Sequence, residues 1–402
     1  MQLFCIKNCK ALKIVYKLFY MKTVELCAGY FNLLKTIMGA GIISYPMFFC
    51  TYGSITATVF SCIAAILTFF SLMMLCECAD YANTRDKTFS AVLSKIWPGI
   101  SGMFNVIVFV KCFGVSISYL VLLQPMLIYL LKMTGIVYLQ NITKVQITLL
   151  YVLIMFPICT MKDLKSLRYS SMIGIFGVYI CIAGSIYNYM LIRDNTPELM
   201  PNPPFFNYPS YKWIGSVGQF IFSFTCHQNI FSIRSSLTNP SSKNMKYITG
   251  LGIGTALILY VVFGFIIYMA YGDKTQDNIF VLFADGKIKN AVYIFYTLFI
   301  SCSLPLQIYP ARDCLVEWVS TRSNKNTFSI RVWCTGLLIT AAALISLPKI
   351  SLTTIQTVVG GTASTIMCNF IPAVCIMKIP RKKSYIEKNH SISASNLRYT
   401  CS

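Results

Sequence analysis

The sequence predicts an all-α integral membrane protein of about ten transmembrane helices, the first and sixth of them interrupted. Three observations lead there. Of 402 residues, 56% are hydrophobic and only 12% are charged, where a soluble globular domain carries about 25% charged residues. Apolar runs such as 248–270 and 291–309 are long enough for a helix to cross a hydrocarbon core of ~30 Å. The Lys and Arg residues fall between such runs rather than in one patch, so the formal charge of +21 describes membrane topology, not a nucleic-acid surface. The expected partner is the lipid bilayer.

Taken in order, residues 1–27 read as a basic cytosolic segment. Lys7, Lys10, Lys13, Lys17 and Lys22 are interleaved with apolar residues, without a continuous apolar core and small-residue cleavage site. A transmembrane domain follows over 28–378, with spans near 28–51, 54–80, 101–131, 146–161, 169–191, 213–236, 247–271, 288–311, 330–347 and 351–377. Residues 379–402 form a basic cytosolic tail. An even number of spans puts both termini on one side. With that side cytosolic, cytosolic segments hold roughly three Lys or Arg for each external one, as the positive-inside rule requires. The sequon Asn141-Ile142-Thr143 then lies outside, and the Pro- and aromatic-rich stretch 194–210 is an external cover. The 17 Cys sit mostly in apolar runs, where they act as small hydrophobes; none has zinc-ligand spacing.

Unpaired backbone groups cost several kcal/mol each in lipid, so a broken helix belongs where it lines a cavity or is buried in protein. In the first span Thr36-Ile37-Met38-Gly39-Ala40-Gly41-Ile42 lies near the middle, with Pro46 following. Two glycines one residue apart let the backbone unwind. The freed N–H groups of a half-helix would suit a carboxylate, although the same glycines could merely let helices pack closely. In the sixth span Ser223-Phe224-Thr225-Cys226-His227-Gln228-Asn229 interrupts an apolar segment. If ten spans are two halves of five, spans one and six correspond, and paired interruptions point to a substrate site near the midplane.

Ionisable and hydroxyl residues inside the bilayer supply ion-coupling candidates. Lys35 is four residues before Gly39 and shares a helix face with Asn32. Its ammonium could stand in for a coupling cation, or snorkel to the cytosolic boundary. Lys111 in span three has no break beside it and is assigned the snorkelling role. His227 could carry a coupling proton or cap the break. Ser301 and Ser303 precede Pro305, which frees a carbonyl one turn earlier, and such oxygens could hold sodium or satisfy a kink. No HExxH, GxSxG or P-loop motif is present, so an enzyme is not expected, and no other metal or cofactor is implied.

The segment Phe31-Asn32-Leu33-Leu34-Lys35-Thr36-Ile37-Met38-Gly39-Ala40-Gly41-Ile42-Ile43-Ser44-Tyr45-Pro46 resembles the first-helix signature of the amino acid/auxin permease family. Phe222-Ser223-Phe224-Thr225-Cys226-His227, running to Leu237-Thr238-Asn239-Pro240-Ser241, is similar to a motif of its sodium-coupled neutral amino acid transporter branch and the vacuolar relatives of that branch. The stretches Ser303–Arg312 and Gly360–Pro372 also fit, so the resemblance covers most of the chain.

The resemblance implies a leucine-transporter-like five-plus-five inverted repeat working by alternating access. Substrate amino and carboxyl groups would meet the backbone of Thr36, Ile37, Met38, Gly39, Ala40, Gly41 and Ile42, and of Phe222, Ser223, Phe224, Thr225 and Cys226. Sodium, where used, would lie near Lys35, Ser301 and Ser303. Three departures stand out. Lys35 replaces the Asn usual in sodium-coupled members, which favours a proton over sodium as coupling ion. A basic tail follows Lys378 where an eleventh helix is usual, and Ser236 replaces an acidic residue. The expected function is secondary active transport of amino acids, neutral ones first, by a monomer in the plasma membrane or a vacuolar or lysosomal membrane. The alternative is a non-transporting amino acid sensor; the short stretch before the first span favours transport.

Overall fold

The computed structural model describes residues 23–39, 41–86, 88–136, 141–161, 168–195, 198, 201–207, 211–276, 278–320 and 327–379. Every regular element among them is helical. Among the described residues seven helices are long and apolar enough to cross a membrane. They are α3 (Ser54–Tyr81), α5 (Ser101–Met133), α7 (Arg168–Asn195), α10 (Ser242–Tyr271), α11 (Lys287–Ser320), α12 (Thr327–Ser346) and the run from Leu352 to Lys378. That last run is α13 (Leu352–Val359), two π-helical stretches (Gly360–Ser364 and Ile366–Phe370) and α14 (Ile371–Lys378).

Two further pairs are broken. α1 (Thr23–Met38) and α2 (Gly41–Tyr52) meet at 49° and together pass the same test of length and composition. α8 (Tyr211–Phe224) and α9 (Ile230–Ser236) are separated by a short 3₁₀ turn. The apolar helix α6 (Lys144–Thr160) is shorter, and α4 (Phe89–Leu93) is a single, largely buried turn. The chain is thus an all-helical multi-pass membrane protein. The expected basic segment overlaps the first helix, which starts at Thr23: Glu25 accepts hydrogen bonds from the Thr238 amide (2.9 Å) and hydroxyl (2.5 Å), anchoring the first turn. Residues 1–22, Ala40 and the tail from 380 lie outside the described residues.

These helices are apolar on nearly every side, as a bilayer solvent demands, and burial sorts the faces instead of polarity. On α12, Trp333, Leu337 and Leu344 face outward while Leu338, Ile339 and Ala342 are buried. The described part of the stretch 194–210, expected to be an external cover, is tied down. The Ile55 amide donates to the Phe205 carbonyl (3.0 Å), and Asn207 donates to the carbonyls of Tyr52 (3.3 Å) and Cys50 (2.7 Å) across the α2–α3 corner.

Candidate functional site

The two breaks meet at one buried point. α1 ends as the Gly39 amide makes a long 3.4 Å bond to the Lys35 carbonyl, and α2 restarts at Gly41. α8 ends at Phe224, and the chain passes through Cys226 and the turn His227–Asn229 before α9. The Tyr260 hydroxyl of α10 lies 2.7 Å from the Ile37 carbonyl and 2.9 Å from the Ser223 carbonyl, so one O–H proton is shared between the ends of both half-helices. Glycine is needed for this approach: a Cβ on Gly41 would lie 3.1 Å from Ser223 Cα, and one on Gly39 would lie 2.4 Å from the Tyr119 hydroxyl.

A narrow cavity beside the breaks is lined by Thr36, Gly39, Gly41, Lys111, Phe222 and Thr225, among others. Thr36 also lines a larger cavity of about 130 Å³, together with Asn32, Asn105, Gln228, Asn229 and Glu317. A polar network joins the walls. Asn229 donates to the Thr36 hydroxyl (3.3 Å) and to the Leu306 carbonyl (3.5 Å). That carbonyl has no helical partner because Pro310, four residues on, carries no N–H. The Lys111 ammonium donates to Gln307 Oε1 at 3.2 Å, and Gln228 donates to the same atom at 3.3 Å.

On the opposite side of the breaks the molecule is shut by rings. Tyr45 stacks on Tyr260 with centroids 4.2 Å apart, Phe48 meets Phe220 at 4.6 Å, and Tyr52 meets Trp213 at 5.0 Å. The Tyr52 hydroxyl donates to the Trp213 carbonyl (3.0 Å), and the Ser44 hydroxyl donates to Gln356 (2.5 Å). Backbones touch there as well: a Cβ on Gly360 would lie 2.4 Å from the Gly218 carbonyl oxygen. Among the described residues this ring layer covers the site on that side.

Residues 22–397 match the family model described as transmembrane amino acid transporter protein. The chain belongs to that transporter family. It is 29% identical to vacuolar amino acid transporter 6 of Saccharomyces cerevisiae over 74% of this chain and 67% of that protein. To vacuolar amino acid transporter 5 of Schizosaccharomyces pombe it is 25% identical, over 86% and 83% of the two chains. Sodium-coupled neutral amino acid transporter 7 of Xenopus laevis is 21% identical over 90% of this chain and 82% of its own length. This is a family of transport proteins, not enzymes.

Within this member of the transporter family the sequence-predicted residues divide. Asn32, Thr36, Ile37, Gly39, Gly41, Phe222 and Thr225 line one cavity or the other. Met38, Ile42, Phe224 and Cys226 are buried in the core around them, and Ala40 lies outside the described residues. The hydroxyls of Ser223, Thr225 and Ser303 donate to carbonyls one turn back, at 2.9, 2.7 and 2.8 Å, while Ser301 is half-buried on α11. His227 lines neither cavity. One of its ring nitrogens meets the Ser71 hydroxyl in a short hydrogen bond and the other lies 3.2 Å from Cys368 Sγ, so it ties the break to α3 and to the second π-helical stretch. Lys35 is also fully buried away from both cavities, its chain passing between α7 and α11: a Cβ on Gly174 would lie 3.5 Å from Lys35 Cε and 3.2 Å from Phe299. Among the described residues no group of three His, Cys, Asp or Glu could hold a metal ion.

Sequence reasoning passed over Tyr119, Gln228, Asn229, Tyr260 and Gln307, and it assigned Lys111 a snorkelling role that its burial and its bond to Gln307 overturn. Gln228 and Asn229 stand inside the interruption of span six, and Gln307 stands two residues after Pro305, so polarity at a helix break was the available signal. Lys111 had burial cost alone to mark it.

Proposed function

We propose that the chain is a secondary transporter that moves amino acids across a membrane by alternating access. On this reading α1–α2 and α8–α9 are the broken first members of two five-span halves, α6 is a full span, and the total is ten. The observation that carries it is the single Tyr260 hydroxyl bonded to the carbonyls of both breaks, with the larger cavity and the aromatic ring layer beside them. The freed N–H groups at the start of α2 suit a substrate carboxylate, and the carbonyls ending α1 and α8 suit its ammonium. The relatives named as amino acid transporters support the substrate class, and the two yeast relatives support a vacuolar-type membrane.

With both termini cytosolic, the larger cavity faces the cytosol and the ring layer closes the other side. Proton coupling stands ahead of sodium because the buried Lys35 passes between α7 and α11, the region to which the family resemblance maps the ion. The test is uptake of labelled amino acids by liposomes carrying the purified protein, under imposed proton or sodium gradients. Flux that follows a proton gradient is expected. Amino acid binding without flux of any amino acid would overturn transport in favour of a sensor.

A further inference from the structure

The α5 face bearing Asn105, Val108, Lys111 and Val115 runs along the whole route. Its residues are spaced by three, three and four, which puts them on one side of a helix. Asn105 and Val108 line the larger cavity, and Lys111 and Val115 line the narrow one at the breaks. Lys111 therefore stands at the inner end of the access path, where a bound molecule would rest.

Lys111 is 1% exposed and forms no ion pair among the described residues; its hydrogen bond is to the neutral Gln307. A buried ammonium is stable when a carboxylate or several hydrogen-bond acceptors meet it, and one amide oxygen already shared with Gln228 is a thin supply. The charged residues of the larger cavity do not relieve it. Arg312 is engaged by Asp313 and by the carbonyls of Cys159 and Met161, and Glu317 accepts from the Ser90 hydroxyl (2.9 Å). Glu317 is also ten residues beyond Gln307 on α11, about 15 Å at the helical rise.

We infer that Lys111 receives a side-chain carboxylate of the substrate, so that this protein selects acidic amino acids over neutral ones. The inference rests on the transport reading above and deepens it. The start of α2 takes the α-carboxylate, the break carbonyls take the α-ammonium, and a second carboxylate is what remains to complement the cation on the facing wall. Gln228 Oε1, buried and without a hydrogen-bond partner, is a further acceptor available to the α-ammonium. An apolar side chain would leave Lys111 no better satisfied than in the empty site, a neutral amide would offer an acceptor without the opposite charge, and a basic side chain would be repelled.

The experiment compares labelled glutamate and glutamine in liposomes carrying the wild-type chain, Lys111→Gln or Lys111→Arg. Wild type is expected to move glutamate at least about tenfold faster than glutamine; Lys111→Gln should bring that ratio close to one, and Lys111→Arg should keep it. Wild-type flux of glutamine and other neutral amino acids without glutamate would overturn the acidic preference and leave transport standing. Absence of flux for every amino acid would remove the transport reading instead. Should Lys111→Gln fail to insert, the wild-type ratio still decides, and it can be cross-checked by the melting-temperature rise each amino acid gives the solubilised protein.

Discussion

Lys35 and Lys111 are two lysines buried to the same extent, 0% and 1% exposed, yet they occupy opposite sides of the broken first helix. Lys111 faces the narrow cavity and donates to Gln307 across it. Lys35, on the broken helix itself, points behind it toward Gly174 and Phe299. Proximity in sequence to a helix break therefore does not place a side chain in the site the break builds. A lysine on a neighbouring unbroken helix can reach that site from across the cavity, while the lysine one turn from the break serves the scaffold side.

The sharpest break of this comparison is charge reversal. Lys111→Glu sets a carboxylate where the bound substrate carboxylate should rest, and the like-charge penalty of several kcal/mol lowers flux by roughly a hundredfold or more. Lys35→Asn should instead alter the response to pH and sodium while the substrate KM moves by less than about threefold. Uptake across a pH series with and without sodium separates the two. An unchanged ion profile for Lys35→Asn would end its coupling role.

Tyr260→Phe touches neither lysine but removes the proton shared by two buried carbonyls. It should cost about 1–3 kcal/mol, seen as a lower melting temperature, and raise KM for acidic and neutral amino acids alike without changing their ratio. A solvated lysine gives the smallest effect. Lys95 pairs with Asp86 at 2.9 Å, with side chains 48% and 41% exposed, and Lys95→Gln should cost less than about 1 kcal/mol. Hydrogen bonds from Thr84 and Lys95 hold the Asp86 carboxyl below its usual range. A depressed carboxylate stabilises the fold above its unfolded pKa, and that contribution fades as pH falls through the lowered folded value. The wild type and Lys95→Gln should therefore converge in melting temperature in acid.

Some features were open to inspection from the chain alone because lipid enforces them locally. Unbroken apolar runs mark spans, and Gly39 and Gly41 mark the place where a helix stops. The polar stretch 223–229 marks the second stop even without glycine or proline. The π-helical stretches after Val359 were not legible: Gly360 and Gly361 resemble any pair of small residues until the backbone of Gly218 is seen against them. His227 likewise reads as either a titrating group or a cap of the break until Ser71 and Cys368, far away in sequence, are found on its two nitrogens.

By itself the sequence determined the membrane class, the positions of both helix breaks and the membership in an amino acid transporter family, since these depend on local composition and on motifs within single helices. Which lysine meets the cavity was decided only by the tertiary structure. A transmembrane helix apolar all round carries no polarity to reveal its inward face, so its rotation comes from packing against neighbours such as Tyr119, Phe299 and Gly174.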